Sequence, residues 1–302
     1  MSLQNDKHFF ELLTVWIDEN LDKDLSLDAV SFKSGFSKRY LQECFRNFTG
    51  QSIGEYIRLR RLTLAYMMLR ITNLTPFEIA KIYRWESQQS FTRAFRTHFG
   101  IPPSALRKKE TFSHEKMFPI YSFDKSIKYE WYVGQAKKAF KKDLIYDYEV
   151  SHSDFVNESI HYNNRVNILS DYSKSGSPLG GFVLNIEVIA QQRTNRGTIK
   201  IINSLGEIIK FENEVSYHEN DYGIINGLYL HVYFSSKLDG LGTIIHYAHQ
   251  EIMPLTKMRS PTKDIIIEVN DYDAINNKLS GVILLPLVQN IPPLTKGLDN
   301  DG

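Results

Sequence analysis

A fourteen-residue pattern occurs twice in the first third of the chain and constrains its fold more than any other feature. The first copy, SKRYLQECFRNFTG, spans residues 37–50, and the second, SQQSFTRAFRTHFG, spans residues 87–100. Each copy starts with serine, a favoured helix N-cap, and ends with glycine, a favoured residue just after a helix. The apolar residues between them have helical spacing, so each copy predicts one amphipathic helix.

The two copies belong to a longer repeat. A short helix and a tight turn are predicted before each copy, and one extra residue in the second turn keeps the apolar positions aligned. The aligned pairs are Leu25 with Leu74, Val30 with Ile79, Phe36 with Trp85, and Phe45 with Phe95. Each unit is therefore a helix-turn-helix, whose second helix lies in the major groove of DNA. A long helix starting near Ser52 is expected to join the units, so that they read two adjacent grooves.

The face opposite the apolar residues is polar in both of these longer helices. It consists of Lys38, Arg39, Gln42, Glu43, Arg46 and Asn47 in the first copy and of Gln88, Gln89, Thr92, Arg93 and Arg96 in the second. Glutamine can pair with the edge of adenine, and arginine can bond guanine or phosphate. The pattern favours DNA reading, and a plain helical bundle with solvated polar faces is the alternative interpretation.

Basic charge is concentrated in the same region. Residues 33–109 carry 15 Lys+Arg against 4 Asp+Glu, whereas residues 113–302 carry 19 against 23. Arg58, Arg60 and Arg61 are expected to charge the first half of the long helix. A basic segment joined to an acidic one indicates a polyanion as the partner of the first part alone, although chance clustering of surface charge is the simpler alternative.

Residues 7–109 resemble the DNA-binding domain of AraC/XylS transcription regulators. The matching text is LSLDAVSFKSGFSKRYLQECFRNFTG, IGEYIRLRRL and IAKIYRWESQQSFTRAFRTHFGIPPSALR. The branch of Rob, MarA and SoxS is the most similar. The resemblance implies an all-α domain with two helix-turn-helix units that binds double-stranded DNA as a monomer and activates transcription together with RNA polymerase.

The resemblance also implies a set of DNA-contacting residues. Base contacts are implied for Arg39, Gln42 and Glu43 in the first unit and for Gln88, Gln89, Ser90 and Arg93 in the second, with Arg46 and Arg96 as neighbours of the DNA backbone and Ser37 and Lys38 completing the set. The first unit departs from the branch, which usually has Trp in place of Arg39 and Arg in place of Glu43. Because glutamate can accept a hydrogen bond from cytosine N4, the first half-site is expected to differ from that of the relatives.

The chain changes composition after residue 112, where β-branched and aromatic residues alternate with polar ones. Strands are predicted near 127–133, 182–190, 198–203, 228–234, 264–269 and 281–288, and helices near 135–147 and 237–252. Each half then has the order strand, helix, strand, strand. We expect two βαββ units in one antiparallel sheet, with helices on one face and a hollow on the other, and hence a multi-domain α plus α+β protein.

Residues 222–288 resemble the GyrI-like effector-binding domain. The stretches that carry the resemblance are NGLYLHVYFSSKLDGLGTIIHYAHQEIMP, DIIIEVND and GVILLPL. The resemblance implies a cleft of aromatic residues and a carboxylate that binds a lipophilic small molecule, often a cation. The candidate ligand-binding residues are Trp131, Tyr229, His231, Tyr233 and Glu268, and ordinary sheet aromatics are the alternative interpretation. Relatives often have Glu where Val282 stands, so apolar area is expected to supply most of the ligand affinity.

Three segments are expected: residues 1–112 for DNA binding, residues 113–290 for effector binding, and a flexible tail over 291–302. Cys44 is the single cysteine, so an intrachain disulfide and a multi-cysteine zinc site are excluded. His246 and His249 have the spacing of metal ligands on a helix, but no third ligand matches them. Neither a metal nor another cofactor is therefore expected.

The sequence contains no phosphate-binding, dinucleotide-binding or serine-hydrolase motif, so an enzyme is not expected. Without a signal-peptide pattern or an apolar run of about 18 residues, the expected location is cytoplasmic, away from membranes. Two function classes remain. One is a transcription regulator that responds to an effector, and the other is an architectural DNA-binding protein whose second part binds a protein partner.

Overall fold

The computed structural model describes the helical part of the chain and the main strands that follow it. The described residues are 3–109, 112–113, 116–118, 127–140, 142–149, 182–190, 197–209, 222–237, 240–253, 259–260, 265–273 and 275–287. The tail expected over 291–302 lies outside the described residues.

The first part of the chain is helical throughout. Its helices are α1 (Leu3–Glu19), α2 (Leu27–Ser34), α3 (Lys38–Thr49), α4 (Ile53–Ile71), α5 (Pro76–Ile82), α6 (Gln88–Phe99) and α7 (Pro103–Leu106). Side-chain oxygens fix five of the helix starts, because Ser26, Ser37, Ser52, Thr75 and Ser87 each accept a hydrogen bond from the backbone N–H three residues ahead. The predicted helix-turn-helix order is thus confirmed twice, as α2-α3 and α5-α6.

The tight turn inside each unit needs a left-handed backbone conformation. Gly35 supplies it in the first unit with φ of 72°, and Arg84 supplies it at the aligned position of the second with φ of 57°. Glycine adopts this conformation without steric cost, whereas a residue with a Cβ is strained by about 1–2 kcal/mol. Arg84 Nε donates to the carbonyl of Asp22 at 2.9 Å, and this contact helps to hold the strained turn.

Helix α4 is the common support of both units. Thirteen of its nineteen residues are buried, so it is a core helix rather than an exposed connector. The ring of Phe45 in α3 packs against Tyr56 with centroids 5.3 Å apart, and the ring of Phe95 in α6 stacks on Tyr66 at 6.4 Å. With a rise of about 1.5 Å per residue, α4 spans roughly 28 Å and fixes the separation of α3 and α6.

A buried ion pair joins α1 to α4. Arg60 Nε lies 2.7 Å from Asp18 Oδ1, and the two side chains are 0% and 1% exposed. The hydroxyl of Tyr56 donates to the other carboxylate oxygen of Asp18 at 3.0 Å. The expectation that Arg60 contributes surface charge is therefore wrong, because its guanidinium balances an acid inside the core.

A short segment after α7 docks on this helical part. The Phe118 carbonyl accepts a hydrogen bond from Arg60, and its N–H donates to Thr63 Oγ1 at 2.8 Å. Its ring packs edge-on against Tyr56 at 5.7 Å. His98 Nε2 lies 2.7 Å from the Lys116 carbonyl, and burial lowers the pKa of His98, so the neutral ring donates this bond near pH 7. The segment is thereby tied to both α4 and α6.

The second part of the chain forms strands and one described helix. The strands are β1 (Phe112–Ser113), β2 (Tyr129–Phe140), β3 (Lys142–Glu149), β4 (Phe182–Ala190), β5 (Thr198–Ile209), β6 (Tyr222–Lys237), β7 (Arg259–Ser260), β8 (Ile265–Asp273) and β9 (Lys278–Leu287). β1 pairs with β7, and the other strands form an antiparallel sheet in the order β2-β6-β9-β8-β4-β5-β3. Because β2 also pairs with β5 at Lys138–Ile209, six strands close into a ring.

The helix predicted near 135–147 is not observed. Strands β2 and β3 occupy these residues, because each finds a hydrogen-bonding neighbour, β6 for β2 and β5 for β3. Tertiary pairing overrides the local helical pattern here. The first expected βαββ unit therefore lacks a helix at that place, and the layout of two such units is not confirmed. The later helix is observed as α8 (Leu241–Tyr247), which continues into a π-helical turn at Ala248–Ile252.

The sheet has one apolar face that packs on α8. Leu230 and Val232 of β6 belong to the same buried cluster as Leu241 and Ile245 of α8. The opposite face carries a separate small cluster that includes Tyr229 and other residues described below. None of the helices in the described part of the chain has both the length and the apolar character that a membrane crossing requires.

Removing the buried carboxylate should destabilise the helical part strongly. Asp18→Ala removes the carboxylate with which the buried Arg60 guanidinium is paired, and we expect a loss of about 3–5 kcal/mol in the free energy of unfolding. This free energy is measured by unfolding the protein in urea and monitoring the helical content by circular dichroism. The matched control is Asp28→Ala, which removes an exposed ion pair with Lys38 and should cost about 1 kcal/mol or less. Equal losses in the two variants would contradict the special role of the buried pair.

Candidate nucleic-acid interface

The outer face of α3 is a continuous polar stripe. Leu41 and Phe45 are fully buried against the core. Arg39, Gln42 and Arg46 are exposed, and together with Glu43 they lie three or four residues apart along one side of the helix. The structure thus brings the candidate residues of the first unit to one surface.

The outer face of α6 repeats this arrangement. Phe91 and Phe95 are buried, whereas Gln88, Gln89, Arg93 and Arg96 are exposed. These four side chains, with Thr92 and Thr97, line one open depression along the helix. Such a face offers donors to base edges and cations to phosphates, with no carboxylate among its members.

Two candidate serines have local structural roles. Ser37 Oγ accepts a hydrogen bond from the N–H of Tyr40 at 3.4 Å and caps α3. Ser90 completes the capping box of α6, because its hydroxyl donates to the Ser87 carbonyl at 2.8 Å and accepts from the Ser87 N–H at 3.2 Å. The hydroxyl hydrogen of Ser90 is therefore engaged inside the protein, and a base contact from this residue would use a lone pair of its oxygen.

The basic residues divide into those that hold the fold and those that face solvent. The engaged side chains are Lys38 with Asp28, Arg58 with Glu55, Arg61 with the carbonyls of Leu21 and Lys23, Arg70 with the carbonyl of Leu106, and Arg107 with that of Leu74. The hydrogen bond from Arg58 lowers the pKa of Glu55, and burial lowers that of Arg61. Among the described residues, Arg39, Arg46, Arg93 and Arg96 have no such partner.

The strand register decides which sheet residues share a face. Tyr229, His231 and Tyr233 alternate along β6, and Tyr233 lies opposite Val282, which lies opposite Glu268. Residues directly opposite each other on paired strands point to the same side. Four of the five candidate ligand residues therefore share one face of the sheet, with Val282 between Tyr233 and Glu268.

Trp131 is the exception. It pairs with Leu230, so it lies on the apolar face rather than with Tyr229, and it is 50% exposed. Glu130 and Tyr132 take its place, because they pair with His231 and Tyr229. Alternation along β2 places Trp131 on one face of the strand and Glu130 and Tyr132 on the other. Only the pairing with β6 shows that Glu130 and Tyr132 share the face of Tyr229 and His231.

This face of the sheet combines aromatic rings with charges of both signs. The ring of Tyr132 lies 4.3 Å from that of His231, and the Tyr233 hydroxyl donates to Glu130, which raises the pKa of Tyr233. Lys128 Nζ lies 5.2 Å above the ring of Tyr233, in the geometry of a cation–π contact. An ammonium of the protein thus occupies an aromatic surface next to a carboxylate.

Residues 30–109 match the family described as "Helix-turn-helix domain". Regulatory protein SoxS of Salmonella typhimurium is 47% identical over 103 residues, which are 34% of this chain and 96% of SoxS. Transcriptional regulator Rob of the same organism is 45% identical over 101 residues, which are 33% of this chain but only 35% of Rob. A solved transcriptional regulator with an AraC-type DNA-binding domain, from Chromobacterium violaceum, is 25% identical with a TM-score of 0.32, over 34% of this chain and 91% of that one.

The division of the basic residues can be tested through the salt dependence of DNA affinity. Arg96→Ala removes a solvent-facing cation and should lower the slope of log affinity against log salt by about 0.9, the value for one phosphate contact. Arg61→Ala removes a guanidinium that holds the turn after α1 and should lower stability while leaving the slope unchanged. Fluorescence anisotropy at several salt concentrations measures both slopes. A smaller slope in Arg61→Ala would show that the engaged arginines also contact DNA.

Proposed function

The chain belongs to the AraC family of DNA-binding transcription regulators, and from that premise we propose that residues 1–112 bind one asymmetric duplex site through α3 and α6. Each helix enters one of two neighbouring major grooves. The observation that carries this proposal is the pair of exposed polar stripes on helices of equal length, each packed on α4 through an aromatic ring, Phe45 in α3 and Phe95 in α6. The relatives named above are a transcriptional regulator and a regulatory protein.

The two stripes divide into base and backbone contacts. In the proposal Arg39, Gln42 and Glu43 read bases in the first half-site, and Gln88, Gln89 and Arg93 do so in the second. Arg46 and Arg96 bind phosphates from the same faces, and Ser37, Lys38 and Ser90 hold the helix starts beside the DNA. Supporting this division, Arg46 and Arg96 are the solvent-facing arginines nearest the C-terminal ends of α3 and α6.

Helix α4 sets the spacing of the two half-sites. Neighbouring turns of the major groove are about 34–36 Å apart, and α4 is a buried, rigid helix of comparable length. Because both reading helices belong to one chain and differ in sequence, a monomer suffices for an asymmetric site. The proposal includes activation of transcription through contact with RNA polymerase.

Residues 113–290 are proposed to form a GyrI-like domain that binds a lipophilic effector. The supporting observation is the sheet face with Tyr229, His231, Tyr233 and Glu268, to which the register adds Glu130 and Tyr132. Aromatic surface favours an apolar ligand, and carboxylates beside it favour a positive charge on that ligand.

A protein partner for the second part is the competing proposal. Tyr129 and Trp131 are 42% and 50% exposed on β2, and exposed aromatic residues are common at protein interfaces. In that case the chain would be an architectural DNA-binding protein whose second part holds another protein. A ligand that stabilises the full chain against heat would favour the effector proposal.

Changing the distance between half-sites tests the proposed DNA binding. The preferred site is first obtained by selecting bound duplexes from a random pool. Five base pairs inserted between its halves rotate one groove to the far side of the duplex, and ten restore the phase but lengthen the distance. Because α4 is rigid, both insertions should reduce affinity to that of a single half-site. Full affinity for the ten-base-pair insertion would show that the two units are flexibly joined.

The contact between Lys128 and Tyr233 gives a test of the effector proposal. Lys128→Met removes the ammonium above the ring, so a cationic lipophile should bind more tightly, by roughly 2- to 30-fold for a contact of about 0.5–2 kcal/mol. Tetraphenylphosphonium and neutral triphenylphosphine oxide serve as the matched ligands in calorimetry. Glu130→Gln should weaken the cation and leave the neutral ligand unchanged. If neither ligand binds any variant, the protein-partner proposal is favoured.

A further inference from the structure

Helices α3 and α6 have the same length and the same boundaries relative to their caps. Each has 12 residues, follows a serine N-cap and ends at a glycine in the left-handed region. Residue by residue alignment therefore contains no gap. Glu43 is the sixth residue of α3, and Arg93 is the sixth residue of α6. The two reading helices thus carry opposite charges at the same position.

The carboxylate of Glu43 faces the same surface as the reading residues around it. Glu43 is exposed and lies one turn from both Arg39 and Arg46. Within the described residues it pairs with neither of them, and the nearby cation Lys38 pairs with Asp28 of α2 instead. An acid whose charge is not balanced on a DNA-facing stripe is repelled by phosphates, so it needs a hydrogen-bond donor in the groove to be compatible with binding.

We propose that Glu43 makes the first unit select cytosine at the base position where Arg93 makes the second unit select guanine. This inference rests on the proposed function, since it requires α3 to lie in the major groove. The cytosine amino group is a donor with no acceptor on the same base edge. Adenine also has an amino donor, but its N7 acceptor repels a carboxylate, and guanine and thymine present acceptors alone besides the thymine methyl.

The consequence is an inverted preference between the half-sites. At the base faced by the sixth residue of each helix, the same strand should carry cytosine in the first half-site and guanine in the second. Each correct base should be favoured roughly 5- to 150-fold over the others, the range that such contacts give. The two half-sites therefore differ because Glu43 and Arg93, at the same helix position, select different bases.

The test is selection of duplexes from a random pool by the full chain and three variants. The unmodified chain should select cytosine at one position of the first half-site. Glu43→Gln should shift that position to adenine, because an amide can pair with adenine N6 and N7, and Glu43→Arg should shift it to guanine, so that both half-sites agree there. The control is Glu19→Arg, which changes the net charge by as much as Glu43→Arg but at an exposed position of α1. It should leave every base preference unchanged.

Three results would overturn the inference. The first is an unchanged base preference in the Glu43 variants with affinity raised equally for all sequences, which would mean that Glu43 acts through charge alone. The second is a preference for another base in the unmodified chain. The third is a selected site in which only the second half-site shows any base preference. If neither half-site showed a base preference, the result would instead contradict the proposed function.

Discussion

The contact between Asp18 and Arg60 is the interaction on which the helical part depends. Neither side chain reaches solvent, so each charge is stable only beside the other, and the hydroxyl of Tyr56 completes the hydrogen bonding of the carboxylate. Arg60 also bonds the carbonyl of Phe118, so the same guanidinium holds the chain segment that leaves the helical part. The position of α1, the central part of α4 and the exit of the chain are thereby linked through one buried group.

This linkage explains how α4 supports both α3 and α6. Tyr56 and Tyr66 of α4 pack against Phe45 and Phe95, and the ion pair joins α4 to α1. The polar faces of α3 and α6 then differ in the residues they carry, while both helices pack on the same α4. A change of a single exposed residue on α3 or α6 alters the chemistry of that face and keeps the caps and buried rings in place.

In the sheet, long-range strand pairing and not local spacing determines which residues share a face. Its faces are defined by the register of neighbouring strands, and a shift of one residue would exchange the two sets of side chains. Pairing with β6 brings Glu130 and Tyr132 beside His231 and Tyr229 and sends Trp131 to the other side. The candidate ligand face therefore has two carboxylates, one from β2 and one from β8, where alternation along single strands indicated only Glu268.

The sequence alone determined the helices of the first part and their order, because that information is local. Serine caps, glycine ends and the spacing of Phe45 and Phe95 each act within one or two helical turns, and all of them are observed as predicted. The polar stripes followed from the same spacing. Tertiary structure decided what depends on distant partners. It made Arg60 a core residue and left Arg93 facing solvent, since only packing brings Asp18 to one of them. It also made residues 135–140 and 142–147 parts of strands, because β6 and β5 lie beside them.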